Sequence, residues 1–356
     1  MIDLFSPLKL REIELKNRIA VSPMCQYSSQ DGFANDWHMV HLGSRAVGGA
    51  ALIMTEATSV SPEGRISIDD LGIWKDDHIA GLKRITDFIL QQNAIPGIQL
   101  AHAGRKSSRT SAWKGDRLLS ASEGGWETVA PSAIPFSDDT SVPIALTHEG
   151  IGKVISDFRL AAVRSLKAGF RVAEIHAAHG YLIHEFMSPL TNKRPDDYGG
   201  SFENRIRILL EVVEAVRSTW PDGYPLFVRI TSCDWREDGW TLDDSVKLAA
   251  ILKEKGVDLL DCSSGGAVPG LNIPAGPGYQ VQFAEQIRKK TGIPTGAVGI
   301  ITTPEQAQAI ISSGQADIVS LAREFLRDPY FPLHAAAELG AEIPWPSQYE
   351  RARRRK

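Results

Sequence analysis

Eight short apolar runs recur along this sequence, and stretches with a helical repeat lie between them. The runs occupy residues 19–24, 51–56, 96–101, 172–176, 226–231, 259–263, 295–298 and 318–321. Several are nearly continuous in Val, Ile, Leu and Ala, which is typical of parallel strands buried on both faces. Eight strand–helix units of this kind predict an α/β fold, a (β/α)₈ TIM barrel.

The stretches between the runs carry helix signals. In residues 204–219, apolar side chains keep the i, i+3, i+4, i+7 spacing of one helix face. Thr303-Pro304-Glu305-Gln306 supplies an N-cap, a first-turn proline and a third-position Gln, and that helix should end near Gly314. Two alternating runs, 8–10 and 13–15, predict an N-terminal hairpin. A doubly wound sheet is the alternative, although Gly276-Pro277-Gly278 lacks the third glycine of its nucleotide-binding motif.

Residues 102–147 interrupt the repeat and are rich in Gly, Ser, Pro and Trp. A connection this long in a compact domain is usually functional. It follows the third predicted strand, so we expect a lid over the C-terminal mouth of the barrel. An inert surface insertion is the alternative. With this insertion, residues 1–356 are predicted to form a single domain.

Composition narrows the class of protein. Apolar residues make up 43% of the chain, charged residues 23%, and the formal net charge is −4, with no basic stripe in the body of the chain. These values predict a soluble protein with no nucleic-acid partner. No basic region followed by an apolar run opens the chain, and no apolar stretch reaches the roughly 18 residues of a membrane span. Three scattered cysteines are typical of a reducing cytoplasm.

The segment His176-Ala-Ala-His179-Gly-Tyr181 directly follows a predicted strand. Two imidazoles at a strand end can donate hydrogen bonds to one substrate oxygen, and a Tyr, still protonated at neutral pH, can donate a proton. A metal site is the alternative for His176 and His179. For a metal site, the two histidines lack acidic or Cys partners at ligand spacing, and the sequence contains no CxxC or HExxH motif.

Other strand ends carry residues suited to an anion. Arg229 lies inside the fifth strand, where a charge must meet either an anionic ligand or an internal acid such as Glu56 or Glu174. Gly299 follows the seventh strand and Arg323 the eighth, where barrels commonly hold phosphate. Cys25 follows the first strand and, taken alone, reads as a small buried apolar residue.

Longer motifs resemble one family. The chain is similar to the old yellow enzymes, FMN-dependent ene-reductases, and within them to the bacterial subclass of NADPH dehydrogenases and xenobiotic reductase A. The resemblance runs from about Leu4 to Arg351 and rests on the segments 15–20, 22–27, 99–106, 176–181, 198–205 and 317–329.

The resemblance implies a role for each matching residue. The predicted FMN-binding residues are Ser22, Pro23, Met24, Cys25, Ala57, Gln99, Arg229, Val298, Gly299, Ala322 and Arg323. The predicted substrate-binding residues are Tyr27, Lys106, His176, His179, Tyr349 and Arg351. Tyr181 is the implied proton donor. Many relatives have Gly-Arg where this chain has Ala322-Arg323, so we expect a narrower approach to the FMN phosphate.

The implied activity is reduction of the activated C=C bond of α,β-unsaturated carbonyl compounds, with nitro compounds as further substrates. Hydride would pass from NADPH, or NADH, through tightly bound FMN in ping-pong fashion. Two alternatives are a metal-dependent barrel hydrolase that uses His176 and His179, and a non-catalytic flavin redox sensor. The C-terminal tail, residues 340–356, would carry Tyr349 and Arg351 into a neighbouring subunit of a homodimer or homotetramer. The basic end, 353–356, is predicted to fray.

Overall fold

A closed barrel of eight parallel strands forms the centre of the protein. The computed structural model describes residues 2–353. Around the barrel the strands follow chain order, which confirms the (β/α)₈ prediction and makes the doubly wound alternative wrong. The barrel strands are β3 (Ile19–Val21), β4 (Leu52–Ser59), β5 (Ile95–Ala101), β8 (Val172–Ala177), β9 (Leu226–Thr231), β10 (Leu259–Ser263), β11 (Thr295–Ala297) and β12 (Ile318–Leu321).

Helices pack around the barrel, and at least one lies between each pair of consecutive strands. They are α1 (Asp36–Val47), α2 (His78–Gln91), α3 (His148–Lys167), α4 (Leu182–Met187), α5 (Phe202–Arg217), α6 (Leu242–Glu254), α7 (Val281–Thr291), α8 (Pro304–Ser312), α9 (Arg323–Arg327) and α10 (Phe331–Leu339). The predicted cap of α8 is present, because Thr303 Oγ1 accepts from the N–H of Gln306 at 3.2 Å. That helix ends two residues before Gly314.

The barrel interior is apolar at its N-terminal end and charged above it. The predicted hairpin, β1 (Leu8–Leu10) and β2 (Ile13–Leu15), covers the N-terminal end. Its buried leucines share a cluster with Leu52, Phe227 and Leu259 from the barrel. One layer higher, Gln99, Glu174, Arg229 and Asp261 are all buried. The hydrophobic layer therefore seals one end and leaves the polar layer open to the other, where the strands end.

Residues 102–147 contain little regular structure. Two-residue strands β6 (Val129–Ala130) and β7 (Ile144–Ala145) pair with each other, and short 3₁₀ turns occupy Gly104–Lys106, Ala112–Lys114 and Ala121–Glu123. Arg105 fixes the segment to the mouth, because its guanidinium donates to the carbonyls of Ile134, Pro135 and Ala267. The lid function of this segment stays a prediction.

The C-terminal tail folds back on its own chain as far as it is described. A 3₁₀ turn spans Ser347–Ala352, and the Tyr349 ring lies edge-on to Tyr330 with 5.9 Å between centroids. Arg351 is exposed. A contribution of Tyr349 and Arg351 to a neighbouring subunit stays a prediction, and most of the predicted frayed end, residues 354–356, lies outside the described residues. Within residues 2–353 the structure has no helix with the length and apolar character that crossing a membrane requires.

Candidate active site

The strand register places three polar side chains in a row inside the barrel. His176 on β8 is paired with Arg229 on β9, and Arg229 is paired with Asp261 on β10. Arg229 Nε lies 3.4 Å from Asp261 Oδ2, and Arg229 Nη1 donates to Ser22 Oγ at 3.2 Å. Burial raises the pKa of Asp261, and the guanidinium opposes that rise.

The acid that pairs with Arg229 is therefore neither of the two that the sequence suggested. Glu174 accepts a hydrogen bond from Gln99 Nε2 at 2.7 Å instead. Glu56 accepts from the N–H of Gln26 at 2.8 Å and lies 3.2 Å from His38 Nε2. The sequence offered Glu56 and Glu174 only as examples of an internal partner. The register between strands decides that the partner is Asp261, and no local sequence signal sets that register.

Glu174 is held in its neutral form at neutral pH. Burial raises its pKa to about 8, the nearby Asp261 adds to the rise, and Arg229 and the Gln99 bond oppose it. Asp261 is the acid that lies opposite the buried guanidinium. This arrangement limits the negative charge inside the barrel, where an unpaired carboxylate would be costly.

The loop after β8 has an unusual backbone. His179 has φ +60° and Gly180 φ +71°, so two consecutive residues adopt the left-handed conformation that L side chains rarely take. A Cβ on Gly180 would collide with the carbonyl of Gly266. Below the loop, buried His184 accepts from the Gly180 N–H at 2.9 Å and lies 3.2 Å from Asp234. These contacts fix the loop that carries His179, the second of the two predicted substrate-binding imidazoles.

Hydrogen bonds assign the protons of the two imidazoles. His176 Nδ1 accepts from the N–H of Ala178 at 3.2 Å, so its proton is on Nε2. His179 Nε2 lies 2.7 Å from Ser263 Oγ. The Ser263 hydroxyl can also donate to Gln280 Oε1, at the longer distance of 3.4 Å. We assign its proton to the nearer imidazole nitrogen, at 2.7 Å. That leaves the His179 proton on Nδ1.

Both rings are neutral hydrogen-bond donors. Burial lowers the pKa of His176 and of His179 well below the usual value, and the Arg229 charge lowers both further. The rings stand edge to face with 5.2 Å between centroids. Two N–H groups on adjacent neutral rings suit a partly negative oxygen, because neither donor loses its proton to the substrate.

Tyr181 is a second aromatic neighbour of His176. The ring centroids of Tyr181 and His176 are 5.0 Å apart. Lys106 Nζ stands 5.1 Å from the Tyr181 ring centroid and donates to the His179 carbonyl at 2.8 Å. Burial lowers the pKa of Lys106 to about 8 and raises that of Tyr181 well above its usual value. Tyr181 is therefore fully protonated at neutral pH.

Residues after β3 form the neighbouring wall of the mouth. Tyr27 has φ +45° and its ring meets Trp113 of the 102–147 segment edge to face at 5.6 Å. Cys25 is partly exposed, and burial among apolar groups raises the pKa of its thiol well above the usual value. The thiol form of Cys25, not a thiolate, therefore faces the mouth at neutral pH.

A cavity of about 240 Å³ lies where β11 and β12 end. Its lining includes the predicted residues Ser22, Arg229, Val298, Gly299, Ala322 and Arg323, together with Tyr279, Gln280, Ile300, Ile301, Thr302, Ser320, Leu321, Glu324 and Arg327. Gly299 has φ +114°, and a Cβ there would come within 3.1–3.2 Å of Gln280 and Tyr279. A cationic, glycine-lined cavity at the seventh and eighth strand ends fits the phosphate of FMN.

The remaining predicted FMN-binding residues belong to the next three strands around the barrel from β12. Pro23, Met24 and Cys25 follow β3, Ala57 follows an irregularity in the β4–β5 register, and Gln99 is on β5. Arg229 on β9 reaches across the barrel to this group, since it donates to Ser22 after β3, and both residues line the cavity. The chain thus supplies an elongated polar site of the kind that a flavin nucleotide requires.

Comparison with known proteins identifies the family. The model described as the NADH:flavin oxidoreductase / NADH oxidase family matches residues 3–342. The chain belongs to this family. It is 49% identical over 351 residues to an NADPH dehydrogenase of Bacillus cytotoxicus, covering 98% of this chain and 96% of that protein. It is 52% identical over 350 residues to an NADPH dehydrogenase of Geobacillus thermodenitrificans, covering 98% of each.

Solved structures agree with this assignment. Morphinone reductase superposes with a TM-score of 0.80 at 30% identity, covering 97% of this chain and 92% of that one. A 2-naphthoyl-CoA reductase complex superposes with a TM-score of 0.85 at 27% identity, covering 95% of this chain and 52% of that one. The protein is an old yellow enzyme family member, a flavin oxidoreductase that uses FMN and NADPH. This membership favours the flavin enzyme over the metal-dependent hydrolase and the non-catalytic sensor.

Several residues of the site had escaped the sequence analysis. Ser263, which sets the His179 tautomer, ends the sixth barrel strand, and its position at a strand end was a usable signal. Asp234 and His184 support the catalytic loop from below, and Gln280 lies behind Ser263. Only tertiary structure brings these three into place.

Glu185 on α4 leads to a prediction about stability and pH. Its Oε1 accepts from the Arg105 N–H at 2.9 Å, and among the described residues its Oε2 has no partner. Burial raises its pKa from 4.5 to about 8, although the charges of Arg105 and Lys106 oppose the rise. Between those two pH values the folded chain holds a proton that the unfolded chain has released, so the free energy of unfolding falls as pH rises.

Glu185→Gln should remove this loss. The difference in Tm, variant minus wild type, should be larger at about pH 9 than at about pH 5, because only the wild type has the buried Glu185 carboxyl to ionise. Differential scanning calorimetry at both pH values measures the effect. Glu214→Gln, an exposed change on α5, is the control and should show no trend. A pH-independent difference for Glu185→Gln would contradict the prediction.

Ser263→Ala tests the proton assignment on His179. Without the hydroxyl donor, the proton can move to Nε2 and the remaining ring nitrogen becomes an acceptor. Affinity for a phenol that mimics an enolate should fall about tenfold, in line with the loss of one hydrogen bond to a charged oxygen. Titration of the flavin absorbance measures it. Ser264→Ala is the control, because Ser264 bonds Gln280 and leaves the Ser263–His179 contact in place; equal losses in both variants would refute the assignment.

Proposed function

We propose that this FMN-dependent NADPH oxidoreductase reduces the activated C=C bond of α,β-unsaturated carbonyl compounds, with nitroalkenes as further substrates. The observation that carries the proposal is the pair of buried imidazoles of His176 and His179, edge to face with 5.2 Å between centroids, beside Tyr181 at 5.0 Å from His176. Burial keeps both imidazoles neutral and Tyr181 protonated. The likeness to proteins named morphinone reductase and 2-naphthoyl-CoA reductase supports a reductase of this kind.

When bound, FMN would supply the hydride chemistry that links NADPH to the β-carbon of the substrate. Its phosphate would be held by Gly299 and Arg323, and its pyrimidine end by Arg229 and Gln99. The two imidazoles hold the substrate's carbonyl oxygen. As negative charge develops there, each N–H donor stabilises the transition state by about 3 kcal/mol.

Tyr181 completes the reaction by donating its phenolic proton to the α-carbon. Lys106 favours this step, because its ammonium group near the Tyr181 ring stabilises the phenolate that remains. Tyr27, Lys106 and Phe136 surround the substrate; Phe136 lies with its ring centroid 4.6 Å from Lys106 Nζ. One site then serves NADPH and the alkene in turn, so ping-pong kinetics should follow.

An anaerobic visible spectrum tests the proposal. The purified protein should be yellow, should bleach with NADPH, and should regain its colour when 2-cyclohexenone is added. Recovery shows that the enone accepts the reducing equivalents. Bleaching without recovery would refute the enone activity while leaving the flavin site in place.

Tyr181→Phe separates hydride transfer from protonation. The enone half-reaction should slow about a hundredfold or more, the contribution of a positioned proton donor, while reduction by NADPH keeps its rate. Stopped-flow absorbance of the flavin measures both halves. Tyr198→Phe, which loses a bond to Glu211 away from the mouth, is the control. Equal slowing of both halves by Tyr181→Phe would contradict its role as the donor.

A further inference from the structure

Beside Tyr181 lies a second cavity, much smaller than the one at the ends of β11 and β12. It measures about 10 Å³ and is lined by Tyr181, Asp70, Ser59, Ile66, Gly64 and the small residues Ala57, Ala101 and Ala103. This is room for about one water molecule, and such a water needs two to four polar partners. Asp70, Ser59 and Tyr181 supply them, because the Ser59 hydroxyl already donates to Ser61 and can accept from the water.

Asp70 is an unusual residue for such a position. It is only 2% exposed and lies in the loop after β4. Its Oδ2 accepts from the Ile66 N–H at 2.6 Å, and its Oδ1 accepts from the N–H and hydroxyl of Ser67 at 3.2 and 2.8 Å. Each oxygen has two lone pairs, so Oδ2 keeps one site for a proton or a water.

From this geometry we infer that Asp70 returns a proton to Tyr181 through one water in the small cavity after each reduction. The inference rests on the proposed function, in which Tyr181 gives its proton to the α-carbon. The transfer balances: the Asp70 carboxyl O–H bond breaks, the water passes one proton on, and the Tyr181 phenolate regains its O–H. Asp70 then recovers a proton from solvent, next to the partly exposed Ile68 and Asp69.

Charge and burial give the transfer its direction. Burial raises the pKa of Asp70 to about 7, with Glu56 adding to the rise and the Ser67 and Ile66 bonds opposing it. The pKa of Tyr181 is far higher. A neutral carboxyl therefore protonates the phenolate downhill, and near neutral pH Asp70 is poised between its two forms.

The groups that face Asp70 come from several elements. Glu56 on β4 and Arg65 in the same loop are the charged neighbours. Cys25 and Tyr27, in the loop after β3, and Tyr181, before α4, are the other titratable ones. Burial holds all three in their neutral forms at neutral pH. Asp70 is thus the member of this group that can exchange a proton near neutral pH.

Asp70→Asn separates the first turnover from later ones. The reduced variant already holds the Tyr181 proton, so its single-turnover oxidation by 2-cyclohexenone should keep the wild-type rate. Steady-state turnover should fall about a hundredfold, which gives a burst of one product per site. Asp69→Asn, the same change one residue away at a side chain that bonds Lys114, should turn over like wild type without a burst.

Ala101→Val provides a second variant that leaves every Asp70 hydrogen bond in place. The added methyl groups fill the water cavity, so the same burst should appear even if Asp70→Asn disturbs the loop. A readout without turnover is the infrared difference spectrum of the holoenzyme, wild type minus Asp70→Asn. It should contain a protonated-carboxyl band that titrates near neutral pH, because the bands of Glu174 and Glu185 are common to both proteins and cancel.

The outcomes separate this inference from the proposed function. If the enone fails to reoxidise reduced wild-type protein, the proposed function fails. If wild type turns over and neither Asp70→Asn nor Ala101→Val shows a burst, the relay is refuted. Slowing of the first turnover by Asp70→Asn to the level of Tyr181→Phe would also overturn it, because Asp70 would then act before Tyr181 loses its proton.

Discussion

A buried guanidinium, that of Arg229, is the feature to which the rest of the site is adjusted. A cation inside a barrel is costly unless acids and dipoles surround it. Asp261 meets one side of it, Ser22 accepts from another, and the cavity for the flavin nucleotide opens beyond. The same charge lowers the pKa of His176 and His179, so it helps keep both rings neutral. One buried charge thus prepares the flavin site and the substrate site together.

Burial has the opposite effect on the pKa of three acids near the mouth. Glu174, Glu185 and Asp70 all have raised pKa values because the barrel mouth and its loops exclude water around them. The proposed reaction consumes a proton as well as a hydride, and a site lined only by ionised carboxylates could not supply a proton at neutral pH. A mouth that holds neutral acids beside neutral imidazoles and a phenol keeps protons where the chemistry needs them. These buried carboxyls lower the free energy of unfolding as the pH rises.

Residues outside the reacting groups hold the loop after β8 in one conformation. The loop that carries His179 and Tyr181 runs through two left-handed residues, and it is fixed by His184 from below and by Lys106 through the His179 carbonyl. Ser263 reaches the same imidazole from two strands away. Such contacts restrict the rings to one orientation and one tautomer, which a loop of this conformation would not keep alone.

Local pattern was enough to predict the barrel. Short segments carry these signals in themselves. Apolar runs of the right length and a proline after an N-cap reflect the preferences of the backbone. Strand-end residues such as Arg229, Gly299 and Arg323 are expected at the mouth, because every barrel strand ends there. The motif around His176 could likewise be located from its place after a strand. The partner of Arg229, the tautomer of His179 and the water-sized cavity shared by Asp70 and Tyr181 depend on the register between strands and on loops that meet only in three dimensions. Tertiary structure decided those, since they are set by the packing of residues distant along the chain, which no local pattern encodes.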